Sequence, residues 1–247
     1  MEVSIHTIFA RALERAAHSD SLVGSIAESI GRAIIEGDLY PGDDLNSVDL
    51  SKQFRTSRTP VREALLLLEK EGLVVIPPRR RPYVASMSLV EVREIYQVRA
   101  HLHMLVSDLI VAQASDSAIE ELRVCLSSLE EAAQTGDRDI YFWRSLSFRA
   151  TEMDICGNRQ LQQTLDKLGL RTLQIRHHSL MSPGRLEQSI QDHARLLLAY
   201  EDRDALLAQA MTRSLILGAL SAIERSGWPA ERSEAQLAAD PLAESEC

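Results

Sequence analysis

The run Ser57-Arg58-Thr59-Pro60-Val61-Arg62-Glu63-Ala64-Leu65 leaves the chain few folding options. Proline is tolerated in the first turn of a helix, where its missing N–H has no partner to lose, and it breaks a helix anywhere deeper. Pro60 therefore predicts a helix that begins near Ser57. Its apolar stripe of Val61, Ala64, Leu65 and Leu68 has the i, i+3, i+4, i+7 spacing of one buried face, and Gly72 ends it after Glu71. Upstream, Ser47 is positioned to cap a short helix from Val48 to Phe54, and Arg55-Thr56 makes a tight connection. Further upstream, Ile26, Ile30 and Ile34 mark a helix from Leu22 to Glu36, stopped by Gly37 and followed by a turn at Tyr40-Pro41-Gly42-Asp43. Downstream, Leu73-Val74-Val75-Ile76 and Tyr83-Val84 flank a Pro77-Pro78-Arg79-Arg80-Arg81-Pro82 tip, which reads as a β-hairpin. Short helices joined by a tight turn, then a basic hairpin, predict a winged helix-turn-helix over residues 21–85.

Charge supports this module as a nucleic-acid binder, although the whole chain carries −9. From Leu50 to Val84 there are eight bases and three acids, a net +5, so the remainder carries −14. A basic module on an acidic body attracts phosphates while the body repels the duplex. Ser57, Arg58, Thr59 and Arg62 fall on the first turns of the second helix of the pair, the part that enters the major groove in helix-turn-helix proteins. Arg58 and Arg62, at i and i+4, can both pair with guanine O6 and N7. Ser57 and Thr59 are placed to bond phosphate beside the helix N-terminus. Arg79, Arg80 and Arg81 would reach a neighbouring groove or the backbone from the hairpin tip.

Beyond Ser86 helical periodicity dominates, with breaks near Ser115, Gly136, Gly157, Pro183 and Asp202, which predicts about six helices in an antiparallel bundle over residues 86–226. The expected fold is mainly α. Residues 1–20 read as an N-terminal arm or short helix, and the acidic, Ala/Glu/Ser-rich stretch 227–247 reads as a disordered tail. No apolar run reaches the roughly 18 residues of a membrane span, and no signal peptide is evident. The three cysteines, Cys125, Cys156 and Cys247, lack zinc or disulfide spacing, so a reducing cytoplasm is the expected setting.

Polar residues interrupt apolar stripes on several bundle helices. Arg149 sits among Phe142, Leu146 and Met153, with Ser145 one turn before it. His193 sits among Leu186, Ile190 and Leu197; Ser214 among Leu207, Met211 and Gly218; Arg99 among Val92, Ile95, Leu102 and Val106. Buried polar groups need partners, so such residues on different helices suggest one polar pocket.

Gly37-Asp38-Leu39 with Pro41-Gly42, the Ser57–Leu65 run, and Leu68-Glu69-Lys70-Glu71-Gly72-Leu73 together resemble the GntR family over about residues 22–85. The helical remainder is similar to the ligand-sensing domain of its FadR subfamily. The resemblance implies a homodimer on a palindromic double-stranded DNA operator, released or retained by a small effector, with Arg58, Thr59 and Arg62 as DNA contacts. Repression is the commoner outcome in that family and activation the alternative. In one departure, Arg81 stands where the family places a wing-tip glycine; insertion of an arginine into a narrow A·T minor groove is a substitute contact.

Many members of the subfamily hold a divalent metal with an Asp and a His at i, i+4 and a His on each of two later helices. At the matching positions this chain has Ser145, Arg149, His193 and Ser214. Serine is a poor ligand and a protonated guanidinium is none, so no metal is expected. The expected effector site instead comprises Arg99, Ser145, Arg149, His193 and Ser214, with Arg149 gripping a carboxylate bidentately. The alternative is an Arg149–Glu152 pair at i, i+3 that closes a vestigial pocket in a bundle that only dimerises. An enzyme is the remaining rival, but the sequence offers no nucleophile–base pair, phosphate loop or Cys/His cluster, and the adjacent His177 and His178 do not converge on a helix.

Overall fold

The computed structural model of the chain describes residues 21–228. The readings of residues 1–20 as an arm and of 229–247 as a tail lie outside the described residues.

The first helix, α1 (Leu22–Glu36), starts where Ser21 Oγ accepts from Gly24 N and ends at Gly37 in the left-handed conformation. It buries Ile26, Ile30 and Ile34; removing one such side chain from water is worth about 1.5–3 kcal/mol. In α2 (Ser47–Gln53) the cap is Asn46, not the expected Ser47: Asn46 Oδ1 accepts from Val48 N at 3.0 Å, which leaves Ser47 inside the first turn. Helix α3 (Arg58–Lys70) begins after Ser57 and turns Val61, Ala64, Leu65 and Leu68 inward. Strands β1 (Val74–Val75) and β2 (Tyr83–Val84) pair antiparallel, Val74 opposite Val84 and Val75 opposite Tyr83. The loop before α2 joins this hairpin through an Asp44–Tyr83 bridge and a bond from Leu45 N to Pro82 O.

Seven helices follow rather than about six: α4 (Leu89–Gln113), α5 (Asp116–Thr135), α6 (Arg138–Cys156), α7 (Arg159–Asp166), α8 (Arg171–Leu180), α9 (Arg185–Glu201) and α10 (Ala205–Ser226). The unexpected break is at Gly169, which adopts φ +67° and separates α7 from α8. Helices α4 and α10 run antiparallel along their length, held by Arg93–Glu224, Ser107–Thr212 and Gln209–Asp108 hydrogen bonds. By length and composition α10 could cross a membrane, contrary to the sequence expectation, but Ala208, Thr212, Leu215, Ile216, Ala219 and Ile223 are buried within the bundle.

Helix α8 lies between the bundle and α1. The backbones approach closely there. A side chain on Gly72 (φ +74°) would place its Cβ 2.6 Å from Arg171 Cδ, and one on Gly169 would meet Glu71 O at 3.3 Å. Trp143 Nε1 donates to Glu36 Oε1 across the same junction at 2.8 Å. Beyond α10, Gly227 and Trp228 are ordered parts of this region, although the sequence assigned them to the tail. Trp228 Nε1 donates to Met87 O, and its ring meets His178 edge-on. A cavity of about 260 Å³ remains at the junction, lined by Ile34, Tyr40, Met181 and Trp228 among others.

Candidate functional site

Two separate surfaces gather the residues singled out in the sequence. The first is the outer face of α3 with the wing. Ser57, Arg58, Thr59 and Arg62 are all exposed, because the buried stripe of α3 occupies its other side. Ser57 makes no capping bond to its own helix, so its hydroxyl is not spent within the fold. Neither Arg58 nor Arg62 has an ion-pair partner among the described residues. Exposed Leu66 (48%), one turn beyond Arg62, continues this face and was not anticipated, since an apolar residue reads as core.

At the wing, Arg79, Arg80 and Arg81 are exposed. The left-handed residue is Arg79, at φ +62°, not Arg81 at the family's glycine position. Arg81 instead reaches back to Asp44 Oδ2 at 3.4 Å, which ties the tip to the loop before α2.

The second is a partly open cavity of about 40 Å³ in the bundle. It brings together Arg99 from α4, Ser145 and Arg149 from α6, and His193 from α9, four of the five residues expected at an effector site. Ser214 is not among them: it is exposed, and Leu215, Ile216 and Ala219 line the cavity from α10. Helix α10 is apolar around most of its circumference, so periodicity alone chose the wrong face. The cavity also contains residues the sequence did not reveal: Tyr96, Arg176, Arg185 and Ser189. One signal was available for Arg185. It opens α9, where the helix dipole disfavours a cation, so its position needs another explanation.

Each cation has a defined setting. Arg149 Nη1 donates to Glu152 Oε2 at 2.6 Å, and Tyr200 OH donates to the other carboxylate oxygen at 2.7 Å. The Arg149–Glu152 pair of the alternative reading therefore forms. It does not consume Arg149, whose Nη2 is buried without a partner among the described residues. Arg185 Nη2 donates to Leu215 O at 2.8 Å, while Nη1 lies 3.9 Å from Asp192 Oδ2 and has no hydrogen bond. Arg176 Nη2 donates to Ser145 Oγ at 3.3 Å. Arg99 stacks over Tyr96 at 5.1 Å. Burial, then the neighbouring Arg99 and Arg149 charges, pushes Arg176 well down from the ordinary guanidinium range, and burial lowers Arg99.

His193 is a neutral imidazole in this setting. Its Nδ1 is 2.7 Å from Ser189 O, a carbonyl that can only accept, so Nδ1 carries the proton and Nε2 presents a lone pair. Burial first, then the Arg149 charge, pushes its pKa down to about 3.

The donor set does not fit a divalent cation. The four positions that would hold one are a serine bonded to Phe142 O, an arginine, one imidazole and a solvent-exposed serine. Among the described residues no three His, Cys, Asp or Glu side chains converge elsewhere. Four guanidiniums around a small space suit an anion instead.

Helix α8 borders both the cavity and the junction with α1. Arg176, Ser179 and Leu180 line the cavity, while Gln174, His177 and His178 face the junction with α1.

Comparison with known proteins identifies the family and the fold. Residues 22–84 match the model described as bacterial regulatory proteins, gntR family, and residues 94–218 match the FCD domain. The HTH-type transcriptional regulator YdhC of Bacillus subtilis is 30% identical over 166 residues, covering 67% of this chain and 74% of that protein. The HTH-type transcriptional repressor RspR of Escherichia coli is 26% identical over 185 residues, covering 74% and 81%. Among solved structures, Escherichia coli McbR/YncC superimposes with a TM-score of 0.71 at 22% identity, over 83% of this chain and 98% of that one. A GntR regulator from Rhodococcus superimposes with a TM-score of 0.68 at 16% identity, over 83% and 99%. These superpositions support the fold.

Proposed function

Because this chain belongs to the gntR family of DNA-binding transcriptional regulators, with an FCD domain behind its winged helix-turn-helix, we propose that it is a repressor controlled by a small anionic effector in the bundle cavity. Arg58 and Arg62 read base edges in the major groove; Ser57 and Thr59 bind phosphate beside them. Arg79, Arg80 and Arg81 contact the neighbouring backbone or minor groove. Two copies of the chain bind a palindromic operator, so both modules must fit their half-sites together. The protein acts where its DNA is, in the cytoplasm, and it performs no chemistry on the effector.

The observation that carries the effector reading is the convergence of Arg99, Arg149, Arg176 and Arg185 on one cavity. Gathering four guanidiniums, three of them buried and Arg176 half-buried, is costly without counter-charge, and two of the four have no carboxylate partner among the described residues. An anion supplies the missing charge without a metal. Its engagement of Arg176 biases α8, and α8 bears on α1, so ligand binding shifts the population of module placements. The open space at the junction gives that shift room.

A second reading has the Arg149–Glu152 pair at its centre: the cavity is vestigial and the bundle only holds two copies together. One experiment separates the two. An operator is selected from random duplexes, and its affinity is measured by fluorescence anisotropy with and without a panel of metabolite carboxylates and phosphates, chelator present throughout. A compound that changes affinity in the wild type, and not in Arg176→Met, supports the sensor. Operator affinity unmoved by every anion that also leaves thermal stability unmoved would support the dimerisation-only bundle.

A further inference from the structure

We infer that the cavity selects a compact dianion, either a short dicarboxylate or a phosphate group, over singly charged ligands. This rests on the effector reading above and specifies the ligand it requires. The inference comes from how the charges at the cavity are matched. Four arginines line it, and two buried acids serve them: Glu152 is bonded to Arg149, and Asp192 lies beside Arg185. His193 is held neutral by its bond to Ser189 O and adds no charge. Arg99 and Arg176 are left over. Arg99 has the Tyr96 ring, and Arg176 has the Ser145 hydroxyl; neither has a carboxylate among the described residues. Arginine keeps its proton in proteins, so the site holds two positive charges that nothing neutralises.

Those two charges come from different helices, Arg99 from α4 and Arg176 from α8, and both border the same space. A single carboxylate would satisfy one and leave the other without a counter-charge. A ligand with two negative charges satisfies both. Residues that line the cavity carry further donors: Arg149 Nη2, Arg185 Nε and Tyr96 OH are buried without a hydrogen-bond partner among the described residues. Size narrows the class. A cavity of about 40 Å³ has room for about three waters, which suits a phosphate or a two- or three-carbon dicarboxylate.

The test uses the full chain, a chelator and fixed ionic strength, with thermal midpoints as the readout. Two pairs of probes hold shape nearly constant while charge changes: malonate against its half-amide malonamate, and sulfate against perchlorate. The expected result is a midpoint raised by about 5–10 °C by a dianion at about 100 times its Kd, and little change with the matched monoanion. Response to malonate alone identifies a dicarboxylate ligand; response to sulfate alone identifies a phosphate group; either supports the inference. In Arg99→Met and Arg176→Met only one unmatched charge remains, so the preference for malonate over malonamate should shrink. Both variants should also melt higher than wild type without ligand, because each removes a cavity cation that no carboxylate among the described residues neutralises. Malonamate matching malonate in the wild type would overturn the dianion class and leave an anion sensor standing. No response to any anion, with neither variant more stable, would remove the sensor reading as well.

Discussion

Trp143 Nε1 donates to Glu36 Oε1 at 2.8 Å, a bond that crosses from the helical bundle to the DNA-binding module. The next residue back, Phe142, lines the bundle cavity, and the two rings meet edge-on with centroids 4.9 Å apart. A hydrogen bond to a charged acceptor is worth about 1.5–3 kcal/mol. Trp143→Phe should therefore leave the cavity able to bind an anion while weakening the link to α1. The expected outcome is an unchanged ligand Kd by calorimetry and a smaller ligand effect on operator affinity. An undiminished effect would place the coupling elsewhere.

Arg58→Ala and Arg62→Ala should each reduce discrimination between operator and mismatched duplex by about 1–3 kcal/mol, since a bidentate arginine–guanine pair is worth that much. Substitution of the wing arginines should weaken binding to all duplexes alike and lower the salt slope by about one for each phosphate no longer neutralised. Anisotropy titrations at several salt concentrations distinguish these signatures. A uniform loss for Arg58→Ala would assign it to phosphate.

Arg149→Ala should destabilise the fold by about 3–5 kcal/mol, because Glu152 is then left buried with only Tyr200 as a donor. Arg149→Met combined with Glu152→Gln should recover most of that loss, since no unpaired charge remains. Chemical denaturation of the single and double variants measures it. Full additivity of the two changes would mean that the pair is not coupled.

Acid should destabilise the protein below about pH 6.5. His193, held at about 3, and His103, lowered by burial, are both neutral in the folded state and have ordinary values of 6.5 when unfolded. As pH falls below 6.5 the unfolded chain takes up protons that the folded chain refuses, so stability drops through the interval from 6.5 towards 3. Replacing His193 with Gln should flatten that slope. Imidazole signals in NMR should show Nδ1 protonated and Nε2 bare across the same interval.

The DNA-binding module was legible because its determinants are local. Pro60, Gly37, Gly72 and the Val61–Leu68 stripe each fix one step of the backbone, and their order admits one supersecondary unit. The cavity was legible in part. Arg99, Arg149 and His193 stood out as polar residues on apolar stripes, whereas Arg176 and Arg185 sit in short polar stretches that look like solvated surface. Arg185 becomes buried and Arg176 half-buried only because α8 and α9 fold over α6 and α10, a tertiary outcome with no periodic signature. Ser214 failed for the opposite reason. Leu207 and Met211 suggested a buried face, yet Leu207 is 40% exposed, and the packed side runs through Thr212, Leu215 and Ala219.

The double duty of α8 has a consequence for how such a regulator can change over time. A substitution at Arg176 alters what the cavity accepts and, on the same ten-residue helix, the packing that sets operator affinity before any ligand arrives. Arg99 is free of that constraint, since α4 carries it away from the junction with α1. New ligand preferences should therefore arise more readily through Arg99, with the resting level of gene expression preserved, whereas changes on α8 reset the level and the preference together.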